Sequence, residues 1–226
     1  MTSPTRTWND LVIPAAGTYL LDEAHKRLGF LAMHMMVSPV RGEFPVGTAT
    51  LHVAEDPLQS SVSATLETAT ITTHNPDRDT HLRSPDFLDV ENYPTIEFRS
   101  TRIEWRTTQE DPMFSWARLK GRTPGRTPAP QQAMRTSAKF VLHGDLTIRG
   151  VTHPIALNAE FGGAGRDPFG NDIFGFNATA DFEREKYGLT WNVALEAGGV
   201  LVAKTVRIEL AGEAIRQASP EPAPAI

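Results

Sequence analysis

The sequence predicts an all-β fold, an antiparallel sandwich or barrel of roughly nine strands with one short helical segment near residues 76–89. Three observations carry this. Apolar and polar residues alternate with period two through most of the chain. Turn residues separate the alternating runs, and helical punctuation is confined to one region.

In chain order, residues 1–16 read as an N-terminal extension, polar at first and then broken by Pro14 and Gly17. Strands are expected over 18–22, 28–37, 41–53 and 61–68. Leu28, Phe30, Ala32 and His34 share one parity, which the strand should turn inward, and Phe44 is expected to join them. Val62, Ala64 and Leu66 alternate against Ser63, Thr65 and Glu67. Asn75 is suited to cap a helix that starts at Pro76, and Ser84-Pro85 repeats the arrangement, so 76–89 should hold one or two helical turns. Tyr93-Pro94 then releases the chain into a strand over 95–106, with Ile96 and Phe98 on one face.

Residues 107–137 are rich in Arg, Pro, Gly and Gln and read as an inserted loop. Its apolar island, Met113, Phe114 and Trp116, should pack back on the body or cover an opening. Further strands are expected over 139–148, 151–161, 173–183 and 205–215. Arg149-Gly150 reads as a two-residue hairpin turn, across which inward parity switches from even to odd. The residues obey: Leu142, Leu146 and Ile148 precede the turn, and Ile155, Leu157, Ala159 and Phe161 follow it. Phe174, Phe176, Ala178, Ala180 and Phe182 share a face, as do Val206, Ile208 and Leu210. Residues 217–226 read as a Pro-rich disordered tail, leaving one domain over 17–216. Several inward faces mix large aromatics with alanine, which leaves room inside and favours a hollow barrel over a filled one.

Composition narrows the function. The 226 residues include no cysteine, so disulfides, thiolate metal sites and thiol nucleophiles are excluded. With 22 basic against 27 acidic residues, a net charge of −5 and no basic blocks, nucleic acid is not an expected partner. No apolar run of signal-peptide length follows a basic start, so a cytoplasmic location is expected. The seven histidines show no two-ligand spacing typical of zinc enzymes, and no nucleophile elbow or phosphate loop is present. Neither a metal site nor a catalytic residue is therefore assigned.

Specific residues resemble the YceI family. They run from Tyr19-x-x-Asp22-x-x-His25 through Phe30, His34, Gly42 and Phe44 to Arg78-Asp79-x-His81-Leu82-Arg83-Ser84, then Tyr93-Pro94 and Phe98. In the second half, Gly144-Asp145-Leu146-Thr147-Ile148-x-Gly150-Val151-Thr152 and Asp167-Pro168-Phe169-Gly170 agree. The resemblance spans roughly Tyr19 to Ile215. It implies an extended, lipocalin-like antiparallel β-barrel of about eight strands with a short helical element. The implied ligand is a polyisoprenoid or related amphiphile held in an apolar pore, with no established reaction. Many relatives carry an export signal. The long 107–137 loop and Lys26, where a small hydroxyl residue is common, depart from the pattern.

The expected function is binding, sequestration or transport of a long isoprenoid-type lipid, a polyprenyl chain or prenyl quinone, with no cofactor beyond that ligand. The expected lining gathers the inward residues: Leu28, Phe30, Ala32, His34 and Phe44; Ile96 and Phe98; Leu142 and Leu146; Ile155, Leu157 and Phe161; Phe174, Phe176 and Phe182. Two readings stand for His34, contact with a ligand head group or a structural hydrogen bond inside the barrel. The alternative function is an enzyme acting on an amphiphilic lipid, with His34 or His25 as general base. Arg78, Asp79, His81, Arg83 and Asp86 are expected to form a salt-bridged plug over the barrel, with an ion pair between Asp79 and Arg83. Leu31, Met33 and Met35 form an outward apolar stripe, expected to meet a second subunit, the 107–137 loop or a membrane surface.

Overall fold

A computed structural model of the chain describes residues 3–106, 138–194 and 200–218. The 107–137 loop with Met113, Phe114 and Trp116, and the end of the Pro-rich tail from 219, lie outside the described residues. The described strands are β1 (Thr5–Trp8), β2 (Leu11–Pro14), β3 (Gly17–His34), β4 (Ser38–Glu43), β5 (Gly47–Val53) and β6 (Ser61–Glu67). Helix α1 (Pro76–Arg83) follows, then β7 (Thr95–Arg106), β8 (Ala138–Ile148), β9 (Val151–Arg166), β10 (Asp172–Glu183) and β11 (Val202–Arg216). No helix among the described residues is long and apolar enough to cross a membrane.

Strands β3, β5, β6, β7, β8, β9, β10 and β11 pair in that order, and β11 pairs back to β3, closing an antiparallel barrel of eight strands. This decides between sandwich and barrel. Period-two alternation follows directly, because one face of every strand looks into the barrel. At the β8–β9 turn Ile148 pairs with Val151, and Arg149 and Gly150 both take left-handed backbone (φ 50° and 70°), so the parity switch occurs as the sequence predicts.

Two expected strands are one. Residues 18–22 and 28–34 fall on the single long β3, with 35–37 forming the turn after it; in β3 Tyr19 and Leu21 are buried at odd positions while Leu28, Phe30 and Ala32 line the interior at even ones. The register against β11 shows why: Lys26 pairs with Gly212 and Leu21 with Ala214, so extra residues bulge out between them. Conversely, 41–53 divides, because the chain leaves the ladder after Glu43 and re-enters at Gly47. Thus β4 pairs with the far half of β3 and β5 with its start.

Each barrel end carries its own cover. Asn75 Oδ1 accepts from the Arg78 amide (3.0 Å) and Pro76 opens α1, as its sequence dictates. The turn after the helix brings Phe87 and Leu88 into a cluster with Ile148, Ile155, Tyr187 and Leu189, at the end where β8 passes into β9. At the opposite end sits the N-terminal segment, whose residues 5–14 form a docked hairpin within the expected extension. Asn9 and Asp10 supply a left-handed pair (φ 45° and 62°) between Trp8 and Leu11, and Leu11 and Ile13 are buried beside Ala138.

Candidate functional site

The barrel encloses a cavity of about 320 Å³, within the range of sites that hold small apolar molecules. Every barrel strand contributes to its wall. It reaches from Leu51, Val62 and Phe174 on the hairpin side to Leu82, Phe87, Ile148 and Leu189 on the helix side, so it runs lengthwise. The room comes from small residues set opposite large ones. Ala178 on β10 pairs with Ala159 on β9, and both face the cavity between aromatic neighbours.

Two glycines let aromatic rings lie flat along the wall. A Cβ on Gly144 would stand 2.5 Å from the Phe98 ring and equally close to the Arg99 carbonyl, and one on Gly42 would meet the Phe30 ring. Phe30 in turn contacts Phe44 at a centroid distance of 5.9 Å.

Of the residues nominated by parity, Leu28, Phe30, Ala32 and Phe44 stand on the cavity wall. So do Ile96, Phe98, Leu142, Leu146, Ile155 and Leu157, and on β10 Phe174, Phe176 and Phe182. Two do not. His34 has the expected parity but is exposed: the last wall position on β3 is Ala32, and His34 ends the strand where it passes into the turn at residues 35–37. Its expected inward placement is corrected: although its β11 partner Val202 stands on the wall, the imidazole, on the last residue of β3, is turned to solvent. Phe161 packs instead toward the hairpin, among Leu11, Ile13 and Ala138, and against the cluster of Tyr19, Leu51 and Phe174 (6.2 Å between the Phe rings).

The nominations missed wall residues that the same rule would have found. Val62, Ala64 and Leu66 on β6 and Val206, Ile208 and Leu210 on β11 line the cavity at the parity read from sequence. Leu82, Phe87 and Leu88 carried no such signal, because they belong to the helical cover. Arg184 continues the inward parity of Phe182 and is the one charged side chain of the wall. It is 2% exposed. Its Nε donates to the Ala203 carbonyl (2.9 Å), and its other nitrogens to the carbonyls of Leu189, Trp191 and Val202. Burial pushes its pKa down and Glu185 opposes the shift. A guanidinium stays charged even so, and main-chain dipoles offset its desolvation. It thereby ties the 189–191 segment to β11 beside the cavity.

The polar cluster on the helical cover differs from expectation in its bonds. Asp79 is buried, and its carboxylate accepts from the Thr73 amide (2.8 Å), the Thr73 hydroxyl and the Thr72 hydroxyl (3.0 Å) instead of pairing with Arg83. Burial raises its pKa, but these hydrogen bonds outweigh that and leave it below the usual value. Arg78 binds the Thr73 hydroxyl and carbonyl, Arg83 the Ile71 carbonyl, and His81 pairs with Asp86 (2.9 Å). The helix is therefore fastened to residues 71–73 by hydrogen bonds, because that strand-like segment offers donors closer than a guanidinium one turn along.

His25 lies outside the cavity, exposed on the β3 bulge. Its Nδ1 hydrogen-bonds Asp22 (2.6 Å), with Glu213 at 3.9 Å. These three offer ligand atoms within 4.8 Å of one another. Spacing along the chain could not show this group, since Glu213 comes from β11.

A family profile described as YceI-like domain matches residues 19–214. A UPF0312 protein of Staphylococcus epidermidis is 32% identical over 194 residues, 85% of this chain and 94% of the relative. Among solved structures, Burkholderia cenocepacia BcnA is similar with a TM-score of 0.61 at 17% identity, covering 85% of this chain and 98% of that one. A polyisoprenoid binding domain from Saccharophagus degradans, implicated in plant cell wall breakdown, is similar with a TM-score of 0.55 at 11% identity, covering 90% and 100%.

Proposed function

The chain belongs to the YceI-like domain family, and on that premise we propose that its barrel binds a long isoprenoid-type lipid, taking the hydrocarbon tail into the cavity. The observation that carries this is the lengthwise cavity of about 320 Å³, whose wall is apolar except for a guanidinium already bonded to main-chain carbonyls. Such a wall recognises hydrocarbon and little else. Each buried methylene contributes about 0.8 kcal/mol, so ten chain carbons offer roughly 8 kcal/mol gross, from which the ordering costs of binding are subtracted. The Saccharophagus domain of similar fold is described as binding polyisoprenoid, which supports the same ligand class here. A polyprenyl chain or the tail of a prenyl quinone fits this description, and sequestration or transport follows from holding it out of water.

The alternative, catalysis with His34 or His25 as base, gains nothing from the geometry, since neither imidazole stands on the cavity wall. A guest of this kind is collected from a bilayer. The exposed tip at Met35, Met36 and Val37 is the surface we assign to that contact, because residues 28–40 carry no Asp, Glu, Lys or Arg and the tip begins three residues beyond Ala32 of the wall.

The test is extraction of the purified protein with organic solvent and mass spectrometry of the extract, followed by titration of the stripped protein with a prenyl quinone. A bound isoprenoid, or stoichiometric uptake, is expected. Finding neither overturns the proposal.

A further inference from the structure

The N-terminal hairpin lies outside residues 19–214, which match the family, and forms a two-stranded sheet separate from the barrel. Its apolar side chains nevertheless meet residues that face inward. Phe140 and Ala138 share the parity of Leu142, and Phe161 that of Leu157, both wall residues; Trp105 is the cross-strand partner of Phe140. Against these pack Leu11 and Ile13, 8% and 3% exposed, and Trp8, whose ring meets Trp105 edge-on at 5.0 Å. Arg6 fastens the hairpin at its rim by donating to the Ala54 and Glu55 carbonyls, with the Glu55 carboxylate at 3.3 Å. Between hairpin and cavity lies a packed cluster that includes Tyr19, Phe161 and the wall residue Phe174. Tyr19 donates its hydroxyl to the Ala15 carbonyl (2.8 Å) and meets Phe174 at 5.0 Å, and Phe161 lies 6.2 Å from the same ring.

From this we infer that hairpin β1–β2 is a stopper: it gives the cavity a blind end and thereby limits the length of hydrocarbon tail the barrel accepts. The inference rests on the lipid-binding reading above and deepens it. With the hairpin docked, Trp105, Phe140 and Phe161 are pinned from outside and cannot swing away from the cavity. A tail entering from the helix end runs into that packed cluster. With the hairpin released, the rings face water at an open barrel end, and a longer chain threads between them and covers their exposed surface. The ligand is therefore held tail toward the hairpin and head toward the helical cover, where the one charged wall residue lies.

The experiment compares the full chain with a Leu11→Asp, Ile13→Asp double variant, using prenyl alcohols of increasing length as probes. Release of the hairpin is verified by tryptic cleavage after Arg6. For the unaltered protein, affinity should rise with each added isoprene unit and then stop rising. In the released variant, that break should move to longer chains by at least one unit. Trp8→Ala loosens the same contact without placing charge in it and should move the break in the same direction. A break at the same length in the unaltered protein and in a variant whose hairpin is cleavable overturns the stopper while leaving lipid binding intact. Absence of binding to any of the proteins overturns both.

Discussion

At the scale of single residues, the most informative titration is that of His25. Its hydrogen bond to Asp22, and secondarily the charge of Glu213, raise its pKa above the ordinary 6.5. The same bond lowers that of Asp22 below 3.8. A raised histidine favours the folded state below about 6.5, and that contribution is lost as pH climbs through the elevated midpoint. A depressed carboxylate favours the fold above its ordinary value and loses that effect as pH falls through the folded one. The pair is therefore ionic only between the two midpoints. Being solvated, it is also weakened by salt. Asp22→Asn should return the His25 midpoint, followed by NMR of the imidazole protons, toward 6.5; a midpoint that does not move contradicts the assignment. Inside the barrel, Gly144→Ala should cost about 1–3 kcal/mol in denaturant unfolding, because the new methyl drives the Phe98 ring off the wall and meets a carbonyl that cannot retreat. An unchanged midpoint would mean that the ring has another place to lie.

At the scale of elements, the β3–β4 tip combines two costs that a purely structural turn would avoid. Met35 and Met36 both take left-handed backbone (φ 51° and 59°), which asparagine or glycine would adopt with less strain, and Met36 and Val37 are 64% and 81% exposed. Replacing the pair as Met35→Asn with Met36→Gly should stabilise the protein by roughly 1–2 kcal/mol. If the tip docks on bilayers, the same change should weaken sedimentation with phosphatidylcholine vesicles by about tenfold. A more stable protein with undiminished vesicle binding would remove the membrane role. Elements also show what sequence could and could not convey. The Arg149-Gly150 hairpin and the Asn75 cap were legible because their signals are local. The continuity of β3 through its bulge was not, because an insertion opposite β11 breaks the parity on which strand reading depends. The β1–β2 hairpin was missed although Asn9-Asp10 is a turn signal, since two strands of four residues alternate too briefly to stand out. His34 was misplaced because parity gives the direction of a side chain and says nothing of where the strand ends.

At the scale of the molecule, the cavity exists because closure of eight strands sets a diameter that the inward side chains do not fill, with Ala32, Ala64, Ala159 and Ala178 spread around the wall. The empty barrel forfeits the dispersion contacts that a packed core would have, and a guest restores them. Lipid occupancy and thermal stability should therefore rise together. A ligand present at a hundredfold excess over its Kd contributes about 2.7 kcal/mol, which for a chain of this size raises Tm by roughly 5–11 °C. Delipidated protein should melt lower by that amount and recover on adding back a prenyl quinone. Ala178→Trp places an indole where the tail would run, and separates the two effects. The variant should keep the far-UV spectrum of a folded barrel, lose uptake by about tenfold or more, and show a Tm that no longer responds to lipid. If Ala178→Trp binds lipid as before and its Tm still rises, the guest does not occupy the interior, and the stabilisation must come from the outer surface.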